Sequence, residues 1–314
     1  MFDRDKQTSL ISKLRLRPKV ESMRVQCHRL AQSGTLSRRI EDDGCISVVY
    51  GEGGGCILDV QGETSGIWIP LRGALQVQTI NLNYPLHVRE TLITGREPRI
   101  KAIGHGTTRW LALLGSRRAW QSLLADMPRA DVGLLPDKYQ ASRGLRRKAI
   151  VLARSTCNAE SESTVYAIVD DIASMQSPLY EAIARCPGRT YATRLQAFLR
   201  LQHVREFIRT CCDQDIDNEE LARMANYSPT HFIRVFNDVF LEPPHRYLVK
   251  QRLLRAERLL RAGHLAITEV SLACGFESRS AFSRSFHEHF DITANETRQN
   301  ARNVPCGQFH DTNA

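Results

Sequence analysis

No stretch of this chain approaches the 18 or more apolar residues of a membrane-spanning helix, and its first thirty residues are polar and basic, without the apolar core of a secretory leader. A cytoplasmic protein with no membrane partner is expected. Nine cysteines make an odd total, and none has C-x-x-C spacing. Reduced, buried thiols are therefore the expected state, with adjacent Cys211 and Cys212 the one unusual pair. A metal centre lacks its ligands: His87 and His105 stand alone, and His287 and His289, two apart on a helix, diverge. No metal, no cofactor and no catalytic constellation is expected, which disfavours an enzyme built on the N-terminal half. An excess of positive charge is missing from the half that carries the motifs described below. The formal charge is +9, yet residues 196–314 hold 15 basic and 15 acidic side chains, and the excess lies in residues 1–195, with 28 and 19. Bulk charge cannot carry a case for a polyanion partner; position has to.

What is present is a repeat. Phe232-Ile233-Arg234-Val235-Phe236-Asn237-Asp238-Val239-Phe240 returns fifty residues later as Phe282-Ser283-Arg284-Ser285-Phe286-His287-Glu288-His289-Phe290, in a shared frame F-x-R-x-F-x-x-x-F. At about 100° per residue the three Phe share one helix face and the Arg points away. Each copy buries aromatics and offers an arginine outward. Before each lies a second short helix with small residues (Ala222, Ala225; Ala273, Cys274), a residue tolerant of left-handed backbone (Asn226; Gly275) and a cap (Ser228, then Pro229; Ser278). The unit is a helix-turn-helix, present twice.

These stretches, A-N-Y-S-P-T-H-F-I-R-V-F and A-C-G-F-E-S-R-S-A-F-S-R-S-F, resemble the two signatures of the AraC/XylS family of bacterial transcription regulators, over roughly residues 196–300. The resemblance implies a DNA-binding domain of two helix-turn-helix motifs joined by a long helix. The chain departs from the family where a Gly usually follows each frame, here Leu241 and Asp291, and where a closing Pro and Tyr are replaced by Ala294 and Thr297. Candidate DNA-binding residues are Thr230, His231, Ile233, Arg234 and Asn237 in the first reader, and Arg279, Ser280, Ser283, Arg284 and His287 in the second. Arginine can pair with a guanine edge or a phosphate, and Thr230 and Ile233 suit a thymine methyl.

Between the copies, Pro243-Pro244 and Gly263 bracket a basic segment. From His245 to Ala262 a helix would be about 27 Å long, of the order of one DNA turn, about 34 Å. Part of its charge run is simply a solvated face.

The N-terminal half reads as strands: short β-rich runs between Gly44 and Ser116 at roughly 8–12-residue spacing suggest a barrel or sandwich. The run Ile69 to Leu75 resembles the cupin-like sensor domain of many AraC-type regulators. An interior lined by Trp68, Trp110 and Tyr50 either holds a small molecule or is a filled core. Helices are expected at Arg118–Asp126, Asp137–Arg154, Glu162–Met175, Pro178–Arg185 and Tyr191–Thr210. The family commonly uses such helices for dimerisation, for which Leu145, Ile150, Val151 and Leu152 are candidates.

The expected architecture is α+β in two domains: an N-terminal cupin-like β-barrel with flanking helices over residues 1–187, a connector at 188–200, an all-α double helix-turn-helix domain at 201–300, and a flexible tail at 301–314. The expected function is that of a sequence-specific regulator, an activator, whose partners are double-stranded promoter DNA, RNA polymerase, a small-molecule effector in the N-terminal domain and a second copy as homodimer. The alternatives are an enzyme on the barrel, or a regulator switched by a protein partner.

Overall fold

The computed structural model describes residues 24–41, 44–125, 134–155, 159–263 and 265–303. The expected C-terminal tail from residue 304 onward lies outside them. The described residues fall into two compact units, one within residues 24–81 and 85–175, the other within 82–84 and 176–303. This division lies upstream of the Pro187-Gly188 break.

The first unit carries β1 (Arg24–Leu30), β2 (Thr35–Arg39), β3 (Cys45–Glu52), β4 (Ile57–Gln78), residues 85–87 of β5 (Asn83–His87), β6 (Glu90–Gly115) and β7 (Asp137–Gln140), with α1 (Arg117–Leu124), α2 (Arg143–Arg154) and α3 (Ala159–Met175). The main sheet order is β1-β3-β6-β4-β2. The several runs expected between Cys56 and Leu114 are mostly two long strands, β4 and β6, which pair with each other repeatedly through register shifts. Ile103 faces Ile57 on one side and Gln76 on the other, while Trp68 faces both Leu92 and Ala112. Each strand thus bends back on its partner, and the sheet rolls into a nearly closed barrel. Beyond the expected strands, β1 and β2 add parallel edges. The helix expected from Asp137 begins at Arg143, because Asp137–Gln140 pairs with β6 and Ser142 caps the helix, its hydroxyl accepting from the Leu145 N–H.

Two tryptophans pack inside the barrel. Trp68 and Trp110 are fully buried with centroids 6.4 Å apart, and their indole N–H groups donate to Thr94 Oγ1 at 3.2 Å and Cys56 Sγ at 3.3 Å. Any Cβ at residue 51 would come within 2.2 Å of the Trp110 ring, so Gly51 is what lets that indole lie flat against β3. Tyr50, expected inside, is only half-buried, with Arg29 over its ring and Glu52 accepting its hydroxyl. Helices cover one sheet face, where Leu145, Leu152, Val165 and Ile172 join Ile46, Ile67 and Leu111 in one cluster. Two dimer candidates, Leu145 and Leu152, are therefore core; Val151 is exposed. Cys27, on the edge strand β1, departs from the expected reduced state, being disulfide-bonded. Cys45, Cys56, Cys186, Cys211, Cys212 and Cys274 form no disulfide.

The second unit is helical: α4 (Ser177–Arg185), α5 (Tyr191–Thr210), α6 (Asn218–Ala225), α7 (Pro229–Phe240), α8 (Pro244–Ala262), α9 (Ile267–Ala273), α10 (Arg279–Phe290) and α11 (Ala294–Asn303). Much of the expected connector is the continuous first half of α5, which Thr190 caps by accepting from the Thr193 N–H. No described helix is long and apolar enough to cross a membrane.

Candidate nucleic-acid interface

The first helix pair is built from its caps inward. Asp217 accepts the Glu220 N–H at 2.7 Å and starts α6. Asn226 ends it in left-handed backbone (φ 58°), and the Tyr227 N–H returns to the Ala222 carbonyl at 2.9 Å. That closure turns the chain within two residues, and Pro229 starts α7, where the missing N–H costs nothing. Buried Ala222 and Ala225 leave room for the crossing.

The second pair repeats the scheme with different residues. Glu269 accepts the Ala266 N–H at the start of α9, Gly275 supplies the left-handed turn (φ 77°), the Phe276 N–H returns to the Ser271 carbonyl at 3.1 Å, and Ser278 caps α10 by accepting from the Ala281 N–H. This turn holds one residue more between the left-handed position and the cap. Of the small residues expected at this crossing, Cys274 is buried and Ala273 is exposed, because the last turn of the short α9 rotates it outward.

In each pair the phenylalanines form one stack. Centroids are 5.5 and 4.7 Å apart along Phe232, Phe236 and Phe240, and 5.4 and 4.6 Å apart along Phe282, Phe286 and Phe290. The first two of each stack are fully buried. The helical period then turns the intervening residues outward. Thr230, Ile233, Arg234 and Asn237 are exposed on α7, with His231 half-buried beside them; Arg279, Ser280, Ser283, Arg284 and His287 are all exposed on α10. Each expected set thus shares one outward face of one helix.

Helix α8 joins the pairs. Tyr247 packs on Phe236 at 6.2 Å, while Leu253, Ala256 and Leu260 join Phe282 and Phe286 in one core. Arg252 on this helix donates to the carbonyls of Cys212 (2.7 Å) and Gln214 (2.9 Å), tying down the loop that precedes α6. Three further cations pair with acids: Arg255 with Asp213, Lys250 with Glu242 and Arg261 with Glu257. Part of the basic run is accordingly structural. Burial pushes the Cys274 thiol up to about 11 and raises those of Cys211 and Cys212, so none is an activated thiolate at neutral pH.

Sequence reasoning missed Arg200 and Tyr227. The Arg200 guanidinium lies 5.6 Å from the Tyr227 ring centroid, and that ring meets the His231 ring edge-on at 4.9 Å. Nothing in the repeat pointed to Arg200, which lies upstream on α5.

Residues 221–300 match the family described as a helix-turn-helix domain. The chain is 35% identical over 109 residues to the HTH-type transcriptional regulator GbdR of Pseudomonas aeruginosa, a match covering 35% of this chain and 29% of GbdR. It is 31% identical over 98 residues to the lactose operon transcription activator of Staphylococcus xylosus, covering 31% of this chain and 35% of that protein. It is 32% identical over 88 residues to the probable transcription factor PqrA of Proteus vulgaris, covering 28% of this chain and 72% of PqrA. The chain belongs to the AraC/XylS family of helix-turn-helix DNA-binding regulators. It spans under a third of the length of GbdR.

Proposed function

We propose that this protein is a sequence-specific transcription regulator that binds double-stranded promoter DNA through the outward faces of α7 and α10, each helix pair acting as a helix-turn-helix. The supporting observation is that two helices, fixed by equivalent phenylalanine stacks at the two ends of one 19-residue helix, each present a compact polar face with one arginine at the same place in the frame. The length of α8, about 28 Å, suits successive major grooves on one side of a duplex. An activator role, with RNA polymerase as partner, is supported by the activator among the relatives. Selection of bound duplexes from a random-sequence library by the full chain tests the reading. Enrichment of two half-sites about one helical turn apart is expected; no enrichment over scrambled duplex overturns it.

The first unit, on this reading, is a cupin-like sensor that also provides the dimer contact, and it takes its effector in a concavity between β3, β4 and β6. Arg72 and Arg109 stand directly opposite each other on β4 and β6, and Glu52, opposite Arg109 on β3, pairs with it at 2.6 Å. Like charges facing each other across a strand pair repel, and one carboxylate neutralises only one of them. These three side chains line a concavity of about 290 Å³ floored by Gly53, Gly54 and Gly106. That site suits a small anion that is bound and left chemically unchanged. Calorimetry of the full chain against an anionic metabolite library, with mass analysis of any hit, checks it: turnover would favour the enzyme alternative, and no binding would favour a protein partner.

A further inference from the structure

We infer that His231 and Tyr227 are positioning residues that hold Arg234 ready for the DNA, so that the first reader is preorganised and the second is not; this rests on the reading of α7 as a DNA-contacting helix. Arg234 Nη2 lies 3.0 Å from His231 Nδ1, one turn earlier on the same exposed face. A guanidinium nitrogen can only donate, so Nδ1 is the acceptor. The imidazole is in turn held from behind. Its ring meets Tyr227 at 4.9 Å and 65°, the edge-to-face arrangement that aromatic quadrupoles favour. Tyr227 is itself fixed by its backbone bond to Ala222 in the turn and by the Arg200 guanidinium 5.6 Å from its ring centroid. Four side chains, from α5, the turn and α7, therefore run in a row that ends in the arginine.

The consequence is entropic. An exposed arginine samples many rotamers, and a bidentate contact to a base or phosphate selects one, so ordering it opposes binding. A hydrogen bond to one nitrogen biases that choice beforehand and leaves the other donors of the fork free. Arg284, at the same place in the second frame, has no such device: three residues before it stands Ala281, which offers no side-chain acceptor, and Arg284 makes no hydrogen bond or ion pair with any described residue. In the second turn the aromatic residue, Phe276, is buried in the core, packed on Phe282 at 5.2 Å, and cannot serve as a surface buttress.

The test is a double-mutant cycle on the full chain, read by equilibrium binding to the duplex selected as above. His231→Ala should weaken binding about 3- to 10-fold, His231→Asn, whose side-chain oxygen can take the place of Nδ1, should restore most of it, and His231→Ala should have no further effect in an Arg234→Ala background. Thermal melts of all variants exclude unfolding as the cause. Tyr227→Leu, which keeps bulk and removes the ring, should reproduce part of the His231→Ala loss, again only while Arg234 is present. Multiplicative effects in the cycle would show that His231 contacts DNA on its own account, and unchanged binding by His231→Ala would show that Arg234 needs no support; either overturns the inference. Undiminished binding by Arg234→Ala itself is a different failure, since it removes α7 Arg234 from the DNA interface altogether.

Discussion

The two helix pairs reach the same end by different residues. The first turns on Asn226 and starts its second helix with a proline; the second turns on Gly275, uses one residue more, and relies on the Ser278 hydroxyl as cap. The first places its turn aromatic, Tyr227, on the surface against His231, whereas the second sinks Phe276 into the core. What does not vary is the buried part, the phenylalanine stack at i, i+4 and i+8. The frame fixes the helix and its rotation, while the turn and the outward face are free to diverge.

The largest expected effect is on the shared element. Phe236→Ala and Phe286→Ala should each destabilise the second unit by about 3–5 kcal/mol, the usual cost of emptying a fully buried aromatic site. Phe236 should cost more of the two, since it also packs on Tyr247. Denaturant unfolding measures both. A loss below about 1 kcal/mol in either would mean that the repeated frame is not what holds that pair together.

The next effect lies on the face that diverges. If Arg234 and Arg284 each pair with a base, replacing either by Ala should cost about 1–3 kcal/mol in operator binding. The value for Arg234 should lie at the upper end, because its ordering is partly complete before DNA arrives. Arg258→Ala, on the exposed side of α8, should have a smaller and sequence-independent effect. Competition between matched and scrambled duplexes separates these cases. Equal losses at Arg234 and Arg284 would erase the difference between readers, and an Arg284→Ala protein with intact preference would remove that residue from the reading set.

How far the sequence disclosed this can be followed residue by residue. The helical unit was legible because its signals are local: the Phe spacing, Asn226 and Gly275 in left-handed turns, Pro244 and Gly263 at the ends of α8. Of the ten candidate residues on α7 and α10, nine are exposed and His231 is half-buried, but a helical period says nothing of what lies beside a face, so the Arg200–Tyr227–His231 row went unseen. The barrel was harder to read because its pairing is non-local. Asp137–Gln140 is too short for a period to declare itself and looked like the start of a helix, and only the β6 partner makes it a strand. Likewise no local signal distinguishes several short strands from two long ones that bend. Nor could spacing show whether Trp68 and Trp110 line a cavity or fill it, since burial of both is a property of the closed sheet.

The smallest expected effect concerns the two positions where this chain departs from its family. Leu241 and Asp291, each standing where the family usually has Gly, close α7 and α10 in left-handed backbone at φ 59° and 55°, with their N–H groups bonded to Asn237 and His287 carbonyls at 2.7 and 2.9 Å. The fold therefore keeps the glycine conformation without the glycine. For a leucine this carries a steric penalty of about 1–2 kcal/mol between Cβ and the carbonyl, and at 72% exposure its side chain recovers little by burial. Aspartate tolerates the region better. Leu241→Asn should therefore stabilise the unit by about 1 kcal/mol, and Asp291→Asn by well under half of that, because the strain removed is smaller. Thermal unfolding of the two single variants against wild type decides it. A destabilised Leu241→Asn protein would mean that the leucine side chain contributes packing worth more than the backbone strain, and loss of operator binding without loss of stability would mean that it serves the interface instead.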